Sequence, residues 1–293
     1  MGIFARTSGK RGRVVAFINQ KGGVGKTTMA FNTAYALKCQ GAKVLVIDLD
    51  PQANLSLLFG LDLSLAAESD DLTESSLNIH HLLINSVREL KALHTGVLWS
   101  ELIYQRDGVD LLPSSQELSG FELSVAGISS PRQMILKRFL ERNGILDQYD
   151  YIIIDGPPTL GLLVVNILCA AHGVMIPFRP DDFSRKGLAH FYRVLEDIDD
   201  MGVSAKPTVL AHIPNLVEKR RKQEGCDLNL ITEELVDRSN CSNVVDPFYN
   251  RAQLVKSQSQ KRSVYDYSSI EFAQLQEKFN HLADIIQEAS YEQ

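Results

Sequence analysis

Short runs of β-branched and aliphatic residues alternate along this chain with longer stretches whose apolar positions recur every three or four residues. The short runs span residues 14–19, 44–48, 109–113, 151–155, 173–177 and 207–213. Each is apolar nearly throughout, as strands buried on both faces must be. Between the first two, residues 26–40 read as a helix with Ala30, Ala34 and Leu37 on one face and Gly41 placed to end it. The polar stretch 68–76 reads as a loop before a helix over about residues 80–93. Strand and helix in alternation predict an α/β fold, a doubly wound and mostly parallel sheet with helices on both faces. No linker composition and no internal repeat divides the chain, so a single domain is expected over residues 13–293, preceded by a basic, mobile tail at 1–12.

The last stretch, 268–293, sets Phe272, Leu275, Phe279, Leu282 and Ile286 at three- and four-residue steps, which predicts an amphipathic helix. Its polar face carries Glu271, Glu277, Asp284, Glu288 and Glu292 against Lys278. An anionic membrane surface would repel that face, so the helix is expected to dock on the protein's own sheet.

Composition narrows the class. The 293 residues are 44% hydrophobic and 23% charged, figures of an ordinary globular chain. No uncharged apolar run reaches the ~18 residues of a membrane span, and the basic start lacks the apolar stretch of a signal peptide. A cytoplasmic protein is expected. The four cysteines, Cys39, Cys169, Cys226 and Cys241, are scattered and read as reduced thiols, and the histidines, His80 and His81 included, show no metal-ligand spacing. A net charge of −6 argues against a surface that coats nucleic acid throughout but leaves room for a local basic patch.

The most informative residues are Lys21-Gly22-Gly23-Val24-Gly25-Lys26-Thr27-Thr28, directly after a predicted strand and before a predicted helix. Glycines let consecutive backbone N–H groups turn inward around phosphate oxygens, and the helix start adds its positive dipole end. Lys26 would reach the outer phosphates of a nucleotide and the Thr27 hydroxyl would ligate magnesium. The strict P-loop pattern fails at Gln20, which stands where its first glycine belongs, and a second lysine, Lys21, lies near the loop's start. Two acids at the end of another strand, Asp48 and Asp50, point the same way and could face magnesium or an attacking water. The apolar strand 151–155 ends in Asp155, followed by the stiff Gly156-Pro157-Pro158 turn.

Lys-Gly-Gly-x-Gly-Lys-Thr-Thr resembles the deviant Walker A sequence of the ParA/MinD family of P-loop ATPases. Asp48-Leu49-Asp50-Pro51-Gln52-Ala53-Asn54 resembles the D-x-D-P-Q-x-N segment of ParA proteins, and Asp155 with its prolines resembles the family's Walker B. The resemblance runs from Val14 to about residue 190 and more weakly to the end. It implies ATP and magnesium as cofactors. It implies that Lys21 crosses a dimer interface to the partner's nucleotide, that Asp50 orients the attacking water, and that Asp48 and Asp155 stand around the magnesium. Catalytic roles then fall to Lys21, Lys26 and Asp50. By the same resemblance Ile213-Pro214-Asn215 and Pro247-Phe248-Tyr249 line the adenine.

Within the family the short start has no room for an added helix-turn-helix, the acidic final helix departs from the membrane-binding type, and no cysteine segment matches the iron–sulfur reductases. Non-specific duplex DNA binding remains, and two basic clusters could carry it: Lys219, Arg220, Arg221 and Lys222, and Arg251, Lys256, Lys261 and Arg262. Both fall where ParA relatives place DNA-contacting arginines, although Gln253 stands where the relatives' arginine aligns. The resemblance therefore implies a slow ATPase of the ParA type. It would form an ATP-sandwich homodimer, bind DNA, and be released when a ParB-like adaptor stimulates hydrolysis, driving plasmid or chromosome partition. The alternatives are the same cycle positioning a protein cargo, or a nucleotide-gated interaction module with negligible turnover.

Overall fold

The computed structural model describes residues 11–61, 77–202, 204–218, 221–238, 243–250 and 252–290. In chain order the strands and helices are β1 (Arg13–Phe17), α1 (Lys26–Cys39), β2 (Val44–Asp48), α2 (Asn54–Leu58), α3 (Ile79–Asn85), β3 (Tyr104–Arg106), β4 (Val109–Leu112), α4 (Phe121–Ser124) and α5 (Ile135–Arg142). They continue with β5 (Tyr151–Asp155), α6 (Leu162–Ala170), β6 (Gly173–Phe178), α7 (Asp182–Asp200), β7 (Thr208–Pro214), α8 (Lys222–Arg238), α9 (Ala252–Ser259) and α10 (Ile270–Glu288). The sheet runs β3-β4-β2-β5-β1-β6-β7, parallel except where β3 pairs antiparallel with β4. β1 lies between β5 and β6, and the chain winds outward from it in both directions, which opens a crevice at the carboxyl ends of the central strands.

The six expected strands are present, two with the expected bounds and four with ends shifted by one or two residues. β3 is an addition that the apolar pattern does not reveal, because Tyr104-Gln105-Arg106 is short, polar and at an edge. Its signal lay in the turn. Asp107 and Gly108 both have positive φ, 50° and 79°, as the two-residue loop of a tight hairpin requires. The helix expected over 80–93 stops at Asn85, whose side chain leaves the helical path to pair with the Thr95 N–H (2.8 Å) and hydroxyl (3.1 Å), and a 3-10 turn follows at Arg88–Leu93. The loop expected at 68–76 lies outside the described residues. Gly12, at the end of the stretch expected to be a mobile tail, is buried and donates its N–H to the Leu146 carbonyl at 2.7 Å.

Alternation along β1 divides the core. Val14 and Ala16 face α5 to α7, while Val15 and Phe17 face α1 and α10. α1 is buried on nearly all sides from Lys26 to Leu37, not on one face as its sequence suggests. The reason is α10, which lies across its outer surface and buries Phe272, Leu275, Phe279, Leu282 and Ile286. At about 1.5–3 kcal/mol per large apolar side chain, this contact is a principal source of stability for the half of the fold that carries the phosphate loop. Among the described residues no helix is long and apolar enough to cross a membrane.

Candidate nucleotide site

The loop between β1 and α1 is shaped by its glycines. Gly23 and Gly25 have φ of 72° and 92°, values an L side chain rarely adopts, and a Cβ on Gly25 would collide with the Asn215 amide. That amide, brought in by the end of β7, donates to the Val24 carbonyl at 2.8 Å and pins the loop from behind. Asn19 steadies the near end, donating to the Pro177 carbonyl at 2.8 Å and accepting the Lys21 N–H at 2.9 Å. A cavity of about 540 Å³ opens over the loop, lined among others by Gly22, Lys26, Thr27, Asp50 and Pro158.

The charged groups in and behind the cavity come from three adjacent strands: Lys26 and Asp50 line it, whereas Asp48 and Asp155 are fully buried and do not. Asp48 and Asp155 are register partners on β2 and β5, and Asp155 is also in register with Phe17 of β1, immediately before the loop. Asp48 is fully buried and its oxygens are engaged: one accepts from the Ser56 N–H (2.8 Å) and hydroxyl (2.7 Å), the other from the Asp50 N–H (3.2 Å). Burial outweighs these bonds and pushes its pKa up to about 7. Asp50, at the crevice lip, accepts the Gln52 N–H at 3.0 Å and is raised mainly by burial. Asp155 is fully buried, and no hydrogen bond of good geometry reaches either of its oxygens, although the Thr27 hydroxyl is near enough to act on it. Burial and the neighbouring Asp48 raise it well above the usual carboxylate range, against the opposing pull of the Thr27 hydroxyl and Lys26. Lys26 is 6% exposed, donates to the Lys21 carbonyl at 3.3 Å, and has its pKa lowered by burial while Asp155 and Asp50 oppose the shift.

This donor set fits magnesium and a nucleotide. A buried carboxylate with two orphaned oxygens, next to a hydroxyl and an ammonium at the floor of a phosphate loop, is costly unless a cation with its waters supplies the missing partners.

The remaining sequence-predicted residues divide. Asn215 and Tyr249 line the cavity, whereas Pro214 and Pro247 do not. Lys261, expected at DNA, lines it too, and Asn250, Leu254 and Gln258 line it without having been foreseen, because α9 and its flanks reach the cavity only through tertiary packing. The Lys21 side chain is absent from the lining and pairs instead with Asp181, the N-cap of α7. Of the first basic cluster, Lys219 and Arg220 lie outside the described residues. Arg221 is ion-paired with Glu218 (2.9 Å) and Glu224 (3.3 Å), and Lys222 is exposed. Of the second, Arg251 lies outside the described residues, while Lys256, Lys261 and Arg262 are exposed; Lys261 lines the nucleotide cavity and the Lys256 ammonium lies 5.6 Å from the Tyr267 ring centroid. Arg106 ties this side of the cavity to the sheet edge by donating to the carbonyls of Lys261 (2.6 Å) and Leu58 (2.8 Å).

A mostly parallel sheet wound about a glycine loop, with a buried lysine, a hydroxyl and one acid lining a cavity and two further strand-end acids buried beside them, defines a P-loop nucleotide-binding protein. The family model described as an AAA domain matches residues 12–206. An uncharacterized protein of Methanocaldococcus jannaschii is 38% identical over 209 residues, covering 71% of this chain and 75% of that one. The sporulation initiation inhibitor protein Soj of Bacillus subtilis is 33% identical over 178 residues, 61% of this chain and 62% of Soj, so the match spans less than two thirds of that named relative. Among solved structures, cobyrinic acid a,c-diamide synthase of Mycobacterium smegmatis with bound ATP analog and magnesium superimposes with a TM-score of 0.73 at 26% identity, covering 94% of each chain. The chain belongs to the ParA/MinD family of P-loop ATPases, on the side of its Soj and ParA partition members.

Proposed function

We propose that residues 13–293 act as one unit, a magnesium-dependent ATPase whose nucleotide cycle switches a homodimer on and off non-specific duplex DNA in the cytoplasm, in the service of plasmid or chromosome partition. The observation that carries this reading is that Lys26, Thr27 and Asp50 line one cavity at the carboxyl ends of neighbouring strands, with the fully buried Asp155 close enough to Lys26 and Thr27 to feel both.

In this reading the inward N–H groups of residues 22–28 cradle the phosphates and Lys26 neutralises the outer ones. Thr27 and Asp155 would hold magnesium, which when bound would offset charge on the phosphate oxygens. Asp48 acts one step removed: its bond to the Asp50 N–H and its anchoring by Ser56 fix the path on which the Asp50 carboxylate meets the attacking water. Asn215 and Tyr249, which line the cavity, are assigned to the base. Lys21 completes the site of a second copy. Such a site, incomplete in one chain, turns over slowly until partners assemble it, and a ParB-like adaptor that stimulates hydrolysis releases the dimer from the nucleoid.

DNA contact is assigned chiefly to Lys256, Lys261 and Arg262, since Arg221 already spends its charge on two glutamates. Retention on duplex DNA across a salt series, with ATP, ADP or no nucleotide, tests the reading. Binding should need ATP and fall steeply with salt, and a Lys256→Glu/Arg262→Glu variant, which leaves the cavity lining untouched, should bind weakly with a flatter salt dependence. Absence of retention in every nucleotide state, with ATP-dependent dimers intact, would remove DNA from the cycle.

A further inference from the structure

The two lysines of the phosphate loop are sorted between two sets of acids. Lys26 turns inward toward Asp155 and Asp50. Lys21 turns outward: its ammonium pairs with Asp181 Oδ2 and lies 5.9 Å from the ring centroid of Phe183, which is 79% exposed. Asp181 is free for this task. Its other oxygen accepts the Ser184 N–H at 2.8 Å and caps α7, while the adjacent Asp182 is committed to Arg185 (2.9 Å) and Lys186 (3.2 Å). Partial burial raises the Asp181 pKa, yet the Lys21 ammonium and the Ser184 N–H outweigh it and hold the carboxyl below its ordinary value.

We propose that Asp181 is a positioning residue that holds the Lys21 side chain away from the nucleotide cavity of the single chain, so that Lys21 is released only when a second copy docks. The inference rests on the ATP-dependent dimer proposed above. The pair is about one-third exposed on each side, weak enough to be exchanged for a phosphate oxygen and strong enough to set a threshold. Exposed Phe183 stands on the same surface, where docking of a second copy would cover it and disturb the pair.

Asp181→Asn separates the two jobs of the residue, because asparagine still accepts the Ser184 N–H but loses the charge. Asp181→Ser is a second variant that keeps the cap, and circular dichroism checks that both fold. Three changes are expected in each, all about two- to fivefold. ATP-dependent dimers should form at lower protein concentration, basal ATP hydrolysis should rise, and the Lys21 amine should react faster with an acylating reagent, read by peptide mass spectrometry on nucleotide-free protein. Asp181→Glu should track the parent. With Lys21→Ala in the background, the change at 181 should have no further effect on dimers or hydrolysis. Parent-like behaviour in both charge-removing variants, or a fall in dimerisation and turnover, would overturn the proposal, the fall meaning that Asp181 aims Lys21 productively instead of restraining it. If the parent chain neither dimerises nor hydrolyses ATP, the functional reading fails, while the acylation rate still decides whether Asp181 restrains Lys21.

Discussion

Asn215 is a support for the phosphate loop, and replacing it by alanine should weaken nucleotide binding without removing any group that touches phosphate. The side chain is 1% exposed and its amide is 2.8 Å from the carbonyl of Val24, itself 1% exposed. Truncation leaves that carbonyl buried without its donor, a cost of about 1–3 kcal/mol. The loop can escape the cost by moving toward water, so the penalty falls on the geometry that binds nucleotide. At about 1.4 kcal/mol per tenfold, ATP affinity should drop about 5- to 140-fold. Asn215→Asp should be worse than Asn215→Ala, since it sets a carboxylate against the carbonyl. Gly25→Ala should lose affinity too, and Asn215→Ala should rescue it only in part, because the collision is removed but the strain of φ 92° stays. Calorimetric titration with a non-hydrolysable ATP analogue, beside a urea melt, measures both quantities. An Asn215→Ala protein that binds ATP within twofold of the parent while its urea midpoint falls would refute the support role and make Asn215 an ordinary core residue.

Asp155→Asn should abolish magnesium-dependent ATP binding yet raise the melting temperature of the nucleotide-free protein, because burial and Asp48 disfavour the carboxylate it replaces; a melting temperature at or below the parent's would contradict this. Phe279→Ala should cost about 3–5 kcal/mol in urea unfolding, since the ring is fully buried between α10 and its neighbours and packs on Phe248 with centroids 5.1 Å apart. His212 is fully buried, meets the Tyr192 hydroxyl at 2.9 Å through Nε2, and is lowered by burial to about 4 from 6.5. Its unfolded form takes up a proton first, so its contribution to stability is present above pH ~6.5 and is lost at about 1.4 kcal/mol per unit as pH falls toward ~4. His212→Gln should flatten that part of the stability–pH curve, and an unchanged slope would clear His212.

The phosphate loop, the strand-end acids and the layer order were legible because their chemistry is written in neighbouring residues. Seven motif residues from Gly22 to Thr28 bend one short loop, and Asp48, Asp50 and Asp155 follow directly on apolar strands. What escaped was contact between distant segments. Asn215 reaches Val24 across 191 positions, and nothing in Ile213-Pro214-Asn215 marks that bond. Ser56 looks like one more polar residue of a short helix until the fold lays both its N–H and its hydroxyl on Asp48. α1 seemed one-sided because its second apolar partner, α10, lies at the far end of the chain. Lys21 carried a family role, but its resting partner Asp181 is set by the approach of α7, which no local pattern encodes. The antiparallel edge hairpin at Asp107-Gly108 was legible and overlooked, because turn chemistry spoke where apolar periodicity was silent.

The packing of α10 on α1 also has a timetable. Asn32, in the middle of α1, accepts the Val264 N–H at 2.9 Å across 232 positions of chain. On a ribosome adding about 5–20 residues per second, roughly 10–50 s pass between synthesis of the phosphate-loop helix and synthesis of the segment that seals it. Throughout that interval the outer side of α1 has no cover, and the nascent protein offers an apolar helix to chaperones before it can offer a finished site to ATP. Competence for the nucleotide is thus a late event in the life of each molecule, and it reports that the segments from both ends have been made and have met.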